Sequence, residues 1–342
     1  MGTCLPQVIS SDMSVETFIV GAGQHTWRDD ADAPHPAAAM AHTCRLALED
    51  GHAEISDVEL IACVEPLSWN YPDLGQAVAG ELGLNAKVEH LWVPAGGTSP
   101  QDLLHQIGGR IAAKELDCAL ICGSEVMRTR RRLTRQGGEP DWPPRAENVN
   151  PMRGQAPFTS ELEQRHGLRA PIQVFPLFEN AIRAAKDRTE AEQSDVAARI
   201  LAKNAQVAAN NPYAWFKDAP SAEEIGNVTQ DNRLIAFPYT KRMNAIMDVD
   251  QSAAILVVSG SWLEKHGGST SAAAELAGTG VEEIWNPIER KTFASCPAMR
   301  RAIDLTLQRA GLSAGEISAM DLYSCFPSAI QFGLDALGAD VA

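Results

Sequence analysis

The chain has 342 residues, 45% hydrophobic and 21% charged, a globular composition that excludes a disordered or collagen-like protein. Its formal charge of −15 and pI near 5.0 argue against a nucleic-acid binder, which needs a dominant basic face. No run of about 18 apolar residues exists, so no membrane span is expected.

Residues 1–12 carry neither a basic region nor a long apolar stretch and read as a disordered extension, not a secretory signal; Met13 offers an alternative start. A short β-rich run, Thr17 to Val20, ends in Gly21-Ala22-Gly23. A helix is predicted over 37–50, a buried strand over Val58 to Val64, a second helix over Leu74 to Leu82 and a third strand over Val88 to Val93. Pro100 to Lys114 reads as a third helix and Cys118 to Cys122 as a fourth strand. Continuous apolar strands alternating with helices imply a mostly parallel sheet covered on both faces. From Arg128 to about Tyr239 the alternation stops. Pro, Gly, Arg and Trp clusters surround two helical stretches, about 174–186 and 190–210, in an inserted excursion. Ala253 to Ser259 is again a buried strand, and Ser261 to Lys265 begins a helix.

After Gly267-Gly268 the opening pattern returns. Glu54-Ile55-Ser56 recurs as Glu316-Ile317-Ser318, Leu46 and Leu48 as Leu305 and Leu307, Leu60 and Cys63 as Leu322 and Cys325, and Leu82-Gly83 as Leu337-Gly338. The ordered series suggests an internal duplication whose second copy lacks counterparts of the third strand, third helix and fourth strand. The expected organisation is a disordered 1–12, a first half over 13–267 holding the excursion (about 128–240), and an incomplete second half over 268–342.

Seven cysteines at 4, 44, 63, 118, 122, 296 and 325 form no metal-type CxxC pair, which fits reduced thiols in a cytoplasm. The eight histidines have no ligand spacing, so no metal site is expected, and His90, His105 and His166 read as structural. Gly21-Ala22-Gly23 lacks the third glycine of a dinucleotide fingerprint, Thr26 standing there, and is better explained as a strand-end turn. Pro94-Ala-Gly-Gly-Thr-Ser-Pro-Gln-Asp102 places Ser99 at an N-cap, Pro100 at the first helical position and Asp102 three residues after the cap, a capping-box pattern. Such a turn also offers backbone N–H groups and a positive helix end to an acyl carbonyl or an anion.

This layout resembles the thiolase superfamily, with motifs spread over essentially the whole chain. Asp117-Cys-Ala-Leu-Ile-Cys-Gly-Ser-Glu-Val-Met127 is similar to the strand ending in the thiolase "GG-M-E-x-M" segment. Asn244 to Ser259, with Asn244 and Asp250, is similar to the thiolase Asn–Asp segment leading into an Ala-rich strand. Leu322-Tyr-Ser-Cys-Phe-Pro-Ser-Ala-Ile-Gln331 resembles the loop read as HDCF in sterol-carrier-protein-type thiolases. The nearest flavour is that of bacterial thiolase-like proteins of the acetyl-CoA acetyltransferase type, in which a GGxxPQ turn and a YSCFPSA loop occur. The resemblance implies a layered α-β-α-β-α arrangement of two mixed-sheet halves, the second truncated.

The resemblance also exposes departures. Counted back from Glu125, the nucleophile position of the family falls on Gly97, with no cysteine nearby. Tyr323 and Ser324 replace the His and Asp of the HDCF loop, Ile246 stands where relatives place a CoA-contacting serine, and the family's GHP histidine and second cysteine have no counterpart. Thiolysis needs a thiolate, a second base and oxyanion donors. The candidates are Cys325 and Tyr323 as catalytic groups, with Gly96, Gly97, Thr98 and Ser99 as the oxyanion or acyl-binding turn. Asn244, Trp215 in Asn211-Pro-Tyr-Ala-Trp-Phe216, and Arg131 in the run Arg128, Arg130, Arg131, Arg132, Arg135 are candidates for CoA. Each has a plainer reading: Cys325 as a small buried residue, Tyr323 as a strand-end hydroxyl, the arginines as a solvated face or oligomer contact, and the aromatics as loop packing.

Three functions stay open. One is a thiolase-like acyl-CoA acyltransferase of lipid or steroid metabolism, degenerate for want of its cysteine. The second is a non-catalytic CoA- or lipid-binding or scaffold subunit, and the third an acyl-CoA retro-aldolase using Tyr323. The CoA thioester is expected as substrate, with no permanently bound cofactor. The expected assembly is a homodimer, or a hetero-oligomer with a small partner subunit, covering a sheet edge near Val88 to Val93.

Overall fold

The computed structural model describes residues 16–28, 32–84, 87–146, 159–268, 273–282 and 286–339; the extension predicted for 1–12 lies outside them. In chain order the elements are β1 (Thr17–Thr26), α1 (Pro36–Asp50), β2 (Leu60–Val64), α2 (Leu74–Leu82), β3 (Glu89–Val93), α3 (Ser99–Ala112), β4 (Cys118–Val126) and α4 (Met127–Arg135). There follow α5 (Glu161–Arg165), α6 (Pro171–Ala185), α7 (Glu190–Asn210), α8 (Ala222–Gly226), β5 (Leu234–Ala236) and β6 (Tyr239–Thr240). The series ends with β7 (Asp250–Ser259), α9 (Gly260–Lys265), β8 (Ala274–Glu275), α10 (Pro297–Ala310) and α11 (Pro327–Leu337). By packing, the described residues up to 146 group with 248–279, and residues 159–247 group with 280–339. Of the excursion, residues 128–146 thus pack with the first sheet and the part from 159 on with the last part of the chain.

The first unit is built on a six-stranded sheet in the order β3-β2-β4-β7-β1-β8. β2 pairs parallel with β3 and β4, as helical crossovers require. β7 pairs antiparallel with both β4 and β1, making the sheet mixed. The sequence pattern leads to a mostly parallel sheet and the resemblance to a mixed one, which is what these strands form. β7 is the antiparallel member between β4 and β1, and the excursion, not a single crossover helix, delivers it to the sheet.

The pleat sorts side chains to two faces. Ile61, Cys63, Leu120, Cys122, Leu256 and Val258 meet α1 and α2 on one face, while Leu60, Ala62, Ala119, Ile121 and Val257 meet α3 on the other. On α3 the contact is Leu103, Ile107 and Ile111, spaced by four and fully buried, each burial contributing roughly 2 kcal/mol. Gly21 and Gly23 are explained by close approach, not by a dinucleotide. A Cβ on Gly21 would lie 2.1 Å from the Ala47 carbonyl oxygen, and one on Gly23 2.1 Å from that of Thr43. Their bareness lets the Ala-rich α1 lie directly on β1.

The second unit gathers α6, α7 and α11 around Phe175, Phe178, Phe326 and Phe332. Phe175 stacks on Phe326 with ring centroids 4.4 Å apart. The order helix, 3-10 turn, helix, glycine cap seen in α1, residues 55–57 and α2 recurs in α10, residues 314–316 and α11. Gly83 and Gly338 close α2 and α11 at φ 72° and 67°. In both 3-10 turns the third residue reaches back to the residue before the turn: Asp57 accepts from the Glu54 N–H at 2.9 Å, and Glu316 accepts from the Ser313 N–H at 2.8 Å. By this geometry Glu316 answers Asp57, not Glu54 as triplet identity suggests. Two differences follow. No strand forms at Leu322 to Cys325, because β2 has β3 and β4 beside it and no described strand runs beside residues 317–324. And α1 buries nine residues whereas α10 buries none.

Candidate functional site

The turn from β3 into α3 begins at Pro94. The Ser99 N–H bonds to the Gly96 carbonyl at 3.3 Å and the Ser99 hydroxyl donates to the Pro94 carbonyl at 2.7 Å, so Ser99 is drawn inside the first helical turn. Thr98 is therefore the N-cap and Ser99 the first helical residue, one position on from the capping box read in the sequence. Asp102 accepts from the Thr98 hydroxyl at 3.2 Å, and partial burial raises its carboxyl above the usual range despite that bond. Gly96, Gly97 and Thr98 are exposed and Ser99 is 3% exposed, so the turn presents backbone and one threonine. The Ser99 hydroxyl is thus buried and fixed on a carbonyl.

Glu125 and Asp250, which carry the resemblance, are brackets. Glu125 ends β4 and accepts from the Leu67 and Val126 amides, each at 3.0 Å, holding the loop after β2; burial raises its carboxyl. Asp250, fully buried at the start of β7, accepts from the Thr129 amide at 3.0 Å and the Thr129 hydroxyl at 2.8 Å, with Arg128 3.5 Å away. It thereby pins the first turn of α4. The basic run is thus partly neutralised within its own unit: Arg131 pairs with Asp248 at 3.3 Å and Arg132 with Asp32.

Of the remaining predicted residues, Cys325, Tyr323, Asn244 and Trp215 all belong to the second unit. Cys325 and Tyr323 share the irregular stretch ahead of α11. Burial lifts the Cys325 thiol above its ordinary value, with a hydrogen bond from Tyr323 opposing part of the rise; burial and the same thiol push the Tyr323 phenol up. Both are protonated at neutral pH, and Tyr323 is 47% exposed. The Asn244 amide donates to the Thr240 carbonyl at 2.6 Å, leaving its buried Oδ1 without a hydrogen-bond partner. Trp215 is half-buried, next to Phe216, which is 52% exposed. An Asn211 Oδ1 to Tyr213 N–H bond of 2.9 Å shapes that loop.

A polar cluster escaped the sequence reading. Glu179 of α6 is fully buried and accepts at Oε1 from the Gln193 amide (2.5 Å) and the Gln331 amide (2.8 Å), and at Oε2 from the Tyr239 hydroxyl (2.6 Å). Tyr239 also meets the Ser328 hydroxyl at 2.9 Å, in the first turn of α11, just after Cys325 and Phe326. Burial raises the Glu179 carboxyl. The signal was present: Glu179 lies on the same helical face as Phe175 and Ile182, where an acid is out of place. Cys63 and Cys122 face each other at 3.6 Å as hydrogen-bonded thiols, and His105 Nδ1 lies 2.6 Å from the Thr279 hydroxyl. No cluster able to hold a metal ion occurs among the described residues, and none of their helices is long and apolar enough to cross a membrane.

No protein-family model matches the chain. Sterol carrier protein 2 from Rattus norvegicus is 26% identical over 144 residues, 41% of this chain, and its Homo sapiens counterpart 24% over the same length. The chain spans about a quarter of the length of these curated relatives. Among solved structures, a monomeric SCP2-thiolase like protein type 1 from Mycobacterium smegmatis superposes at TM-score 0.77 with 28% identity, over 95% of this chain and 64% of that one. The Ltp2-ChsH2(DUF35) aldolase superposes at 0.72 with 18% identity, over 95% and 78%. Human mitochondrial 3-ketoacyl-CoA thiolase in complex with CoA superposes at 0.59 with 15% identity, over 96% and 84%. The mixed sheet, its helical layers and these superpositions together give the chain a thiolase-like fold.

Proposed function

We propose that this protein binds acyl-CoA thioesters and does not carry out thiolytic acyl transfer at the turn after β3. The observation that carries this is the turn itself: Gly97 stands at the nucleophile position that the resemblance assigns, and the one buried hydroxyl beside it, Ser99, is fixed on the Pro94 carbonyl. An acyl-enzyme needs a thiolate or an activated hydroxyl; this turn has no thiol, and its one exposed hydroxyl, Thr98, is held on Asp102 at 3.2 Å as a helix-start contact. What it keeps is a helix N-terminus behind exposed backbone, which suits a thioester carbonyl. Support for CoA as ligand comes from the thiolase-like fold, shared with a CoA-bound thiolase. Within the second unit, taken by itself, Asn244, whose Oδ1 lacks a partner, and the Trp215 loop are the groups we assign to CoA. Arg131 is assigned to its phosphates only at the cost of its pair with Asp248. Calorimetry with CoA and acetyl-CoA, run beside a thiolysis assay with acetoacetyl-CoA, tests the reading. Binding without turnover is expected; turnover through an acyl-enzyme, or no binding at all, would overturn it.

A second reading is retro-aldol cleavage of an acyl-CoA adduct with Tyr323 as the proton-transferring group. It is favoured by the half-exposed phenol beside Cys325 and by the fold shared with an aldolase that is a complex with a DUF35 protein. A small partner subunit belongs to this reading. Tyr323→Phe would then abolish C–C cleavage, and an unchanged rate would remove Tyr323 from it.

A further inference from the structure

We propose that the second unit carries a separate binding site for a small organic anion with an apolar body, of the medium-chain carboxylate class, at the C-terminal end of α11. A cavity of about 520 Å³ opens there between the end of α6, the first half of α7 and the last turn of α11. That volume falls within the roughly 300–1,000 Å³ typical of small-molecule sites. Its floor is apolar, formed by Ile182, Val196 and Phe332, and its rim carries Lys186, Arg188 and Arg199. Among the described lining residues the one acid, Asp335, is held by Arg300 at 3.2 Å, and the rim cation Arg199 is paired with Asp195 at 2.9 Å.

The electrostatics favour an anion here although the whole chain carries −15. A helix C-terminus ordinarily repels negative charge. In α11 the last carbonyls are already occupied: Arg300 donates to the Asp335 carbonyl at 2.7 Å and to that of Ala336 at 3.1 Å, and the Ala339 N–H reaches the Leu334 carbonyl at 2.9 Å. The α6 end is closed likewise, the Lys186 N–H on the Ile182 carbonyl and the Arg188 N–H on that of Arg183, each at 3.0 Å. Among the described residues, the charges left facing the cavity without an acid partner are those of Lys186 and Arg188. Arg188 has one guanidinium nitrogen on Gln193 at 3.0 Å, which fixes it in place. Lys186 and Arg188, beside the pairs Arg199–Asp195 and Arg300–Asp335, suit a single negative charge, and the apolar floor suits a carbon body. On α11 the cavity wall begins at Gln331, roughly 6 Å along the helix from Pro327, and no residue of the Tyr323–Phe326 loop lines it, which sets it apart from the candidate for CoA described above.

Octanoate is the probe, followed by thermal shift and calorimetry, with octanol and inorganic phosphate as the body-only and charge-only controls. Octanoate is expected to bind and raise the melting temperature, with both controls inert at equal concentration. The double variant Lys186→Gln/Arg199→Gln, which alters two exposed side chains, should weaken octanoate at least tenfold. Ala294→Trp, from another wall of the cavity, should abolish binding. No response to octanoate, an equal response to octanol, undiminished binding in the double variant, or displacement of octanoate by CoA would overturn the site. Octanoate binding in a protein that takes up no CoA supports the cavity and removes only the preceding reading.

Discussion

Cys325 and Tyr323 sit two residues apart, and burial acts on both in the same direction, holding thiol and phenol in their protonated forms. A nucleophilic thiol needs the opposite environment, a neighbouring cation or base that favours the thiolate. The expected result is slow alkylation of Cys325 by iodoacetamide at pH 7, with the rate still climbing above pH 9. The Tyr323 hydroxyl lowers the Cys325 value, so Tyr323→Phe should move the alkylation profile to still higher pH. A plateau near pH 7 would show an activated thiol. The sequence made both residues visible through the loop motif, but not their protonation, which depends on how deeply the loop sits. Ser99 is a similar lesson. Its capping signature reads correctly as a helix start, yet the hydroxyl's partner is Pro94, a choice made by the tightness of the turn.

At the scale of elements, two buried carboxylates join segments far apart in the chain. Asp250 ties β7 to α4, and Asp250→Ala would orphan the buried Thr129 amide and remove the acceptor of the Thr129 hydroxyl, which keeps only the bond it accepts from the Ala33 amide. Equilibrium denaturation should show a loss of about 3 kcal/mol. Glu179 ties α6, α7 and β6 to α11, with its carboxyl raised by burial. Because its folded value exceeds the unfolded one, its favourable contribution is full below the unfolded value and fades as pH rises through the folded one. Glu179→Gln mimics the protonated form, its amide able to donate to Tyr239. The stability of wild type relative to this variant should therefore be greatest in acid and decline above the ordinary glutamate range; a flat difference would contradict the raised value. Most elements were legible from periodicity, α2 and α7 to the residue. The strand expected at Leu322 was not, since a strand exists only by pairing and a sequence does not display its neighbours.

For the whole molecule, net charge sets the approach of any ligand. A chain of −15 repels a polyanion such as CoA at long range, whatever its local contacts. Salt screens this repulsion within about 10 Å at 0.1 M. The association rate of CoA, measured by stopped flow, should therefore rise with ionic strength from about 10 to 100 mM, opposite to a basic cleft. A falling rate would point to a cationic entry that outweighs the overall charge.

The pairing of β1 with β7 has a consequence in time. Thr17 is partnered by Ser259, so about 240 residues must be made before the first strand finds its neighbour. At about 5–20 residues per second of synthesis, that is a wait of roughly 12–50 s. Through that interval Phe18 and the surface of α1 have β2, α2 and β4 for company but not the strand that closes the sheet between them. The nascent chain is then a natural client for ribosome-bound chaperones, and slowing translation should lengthen its exposure to them.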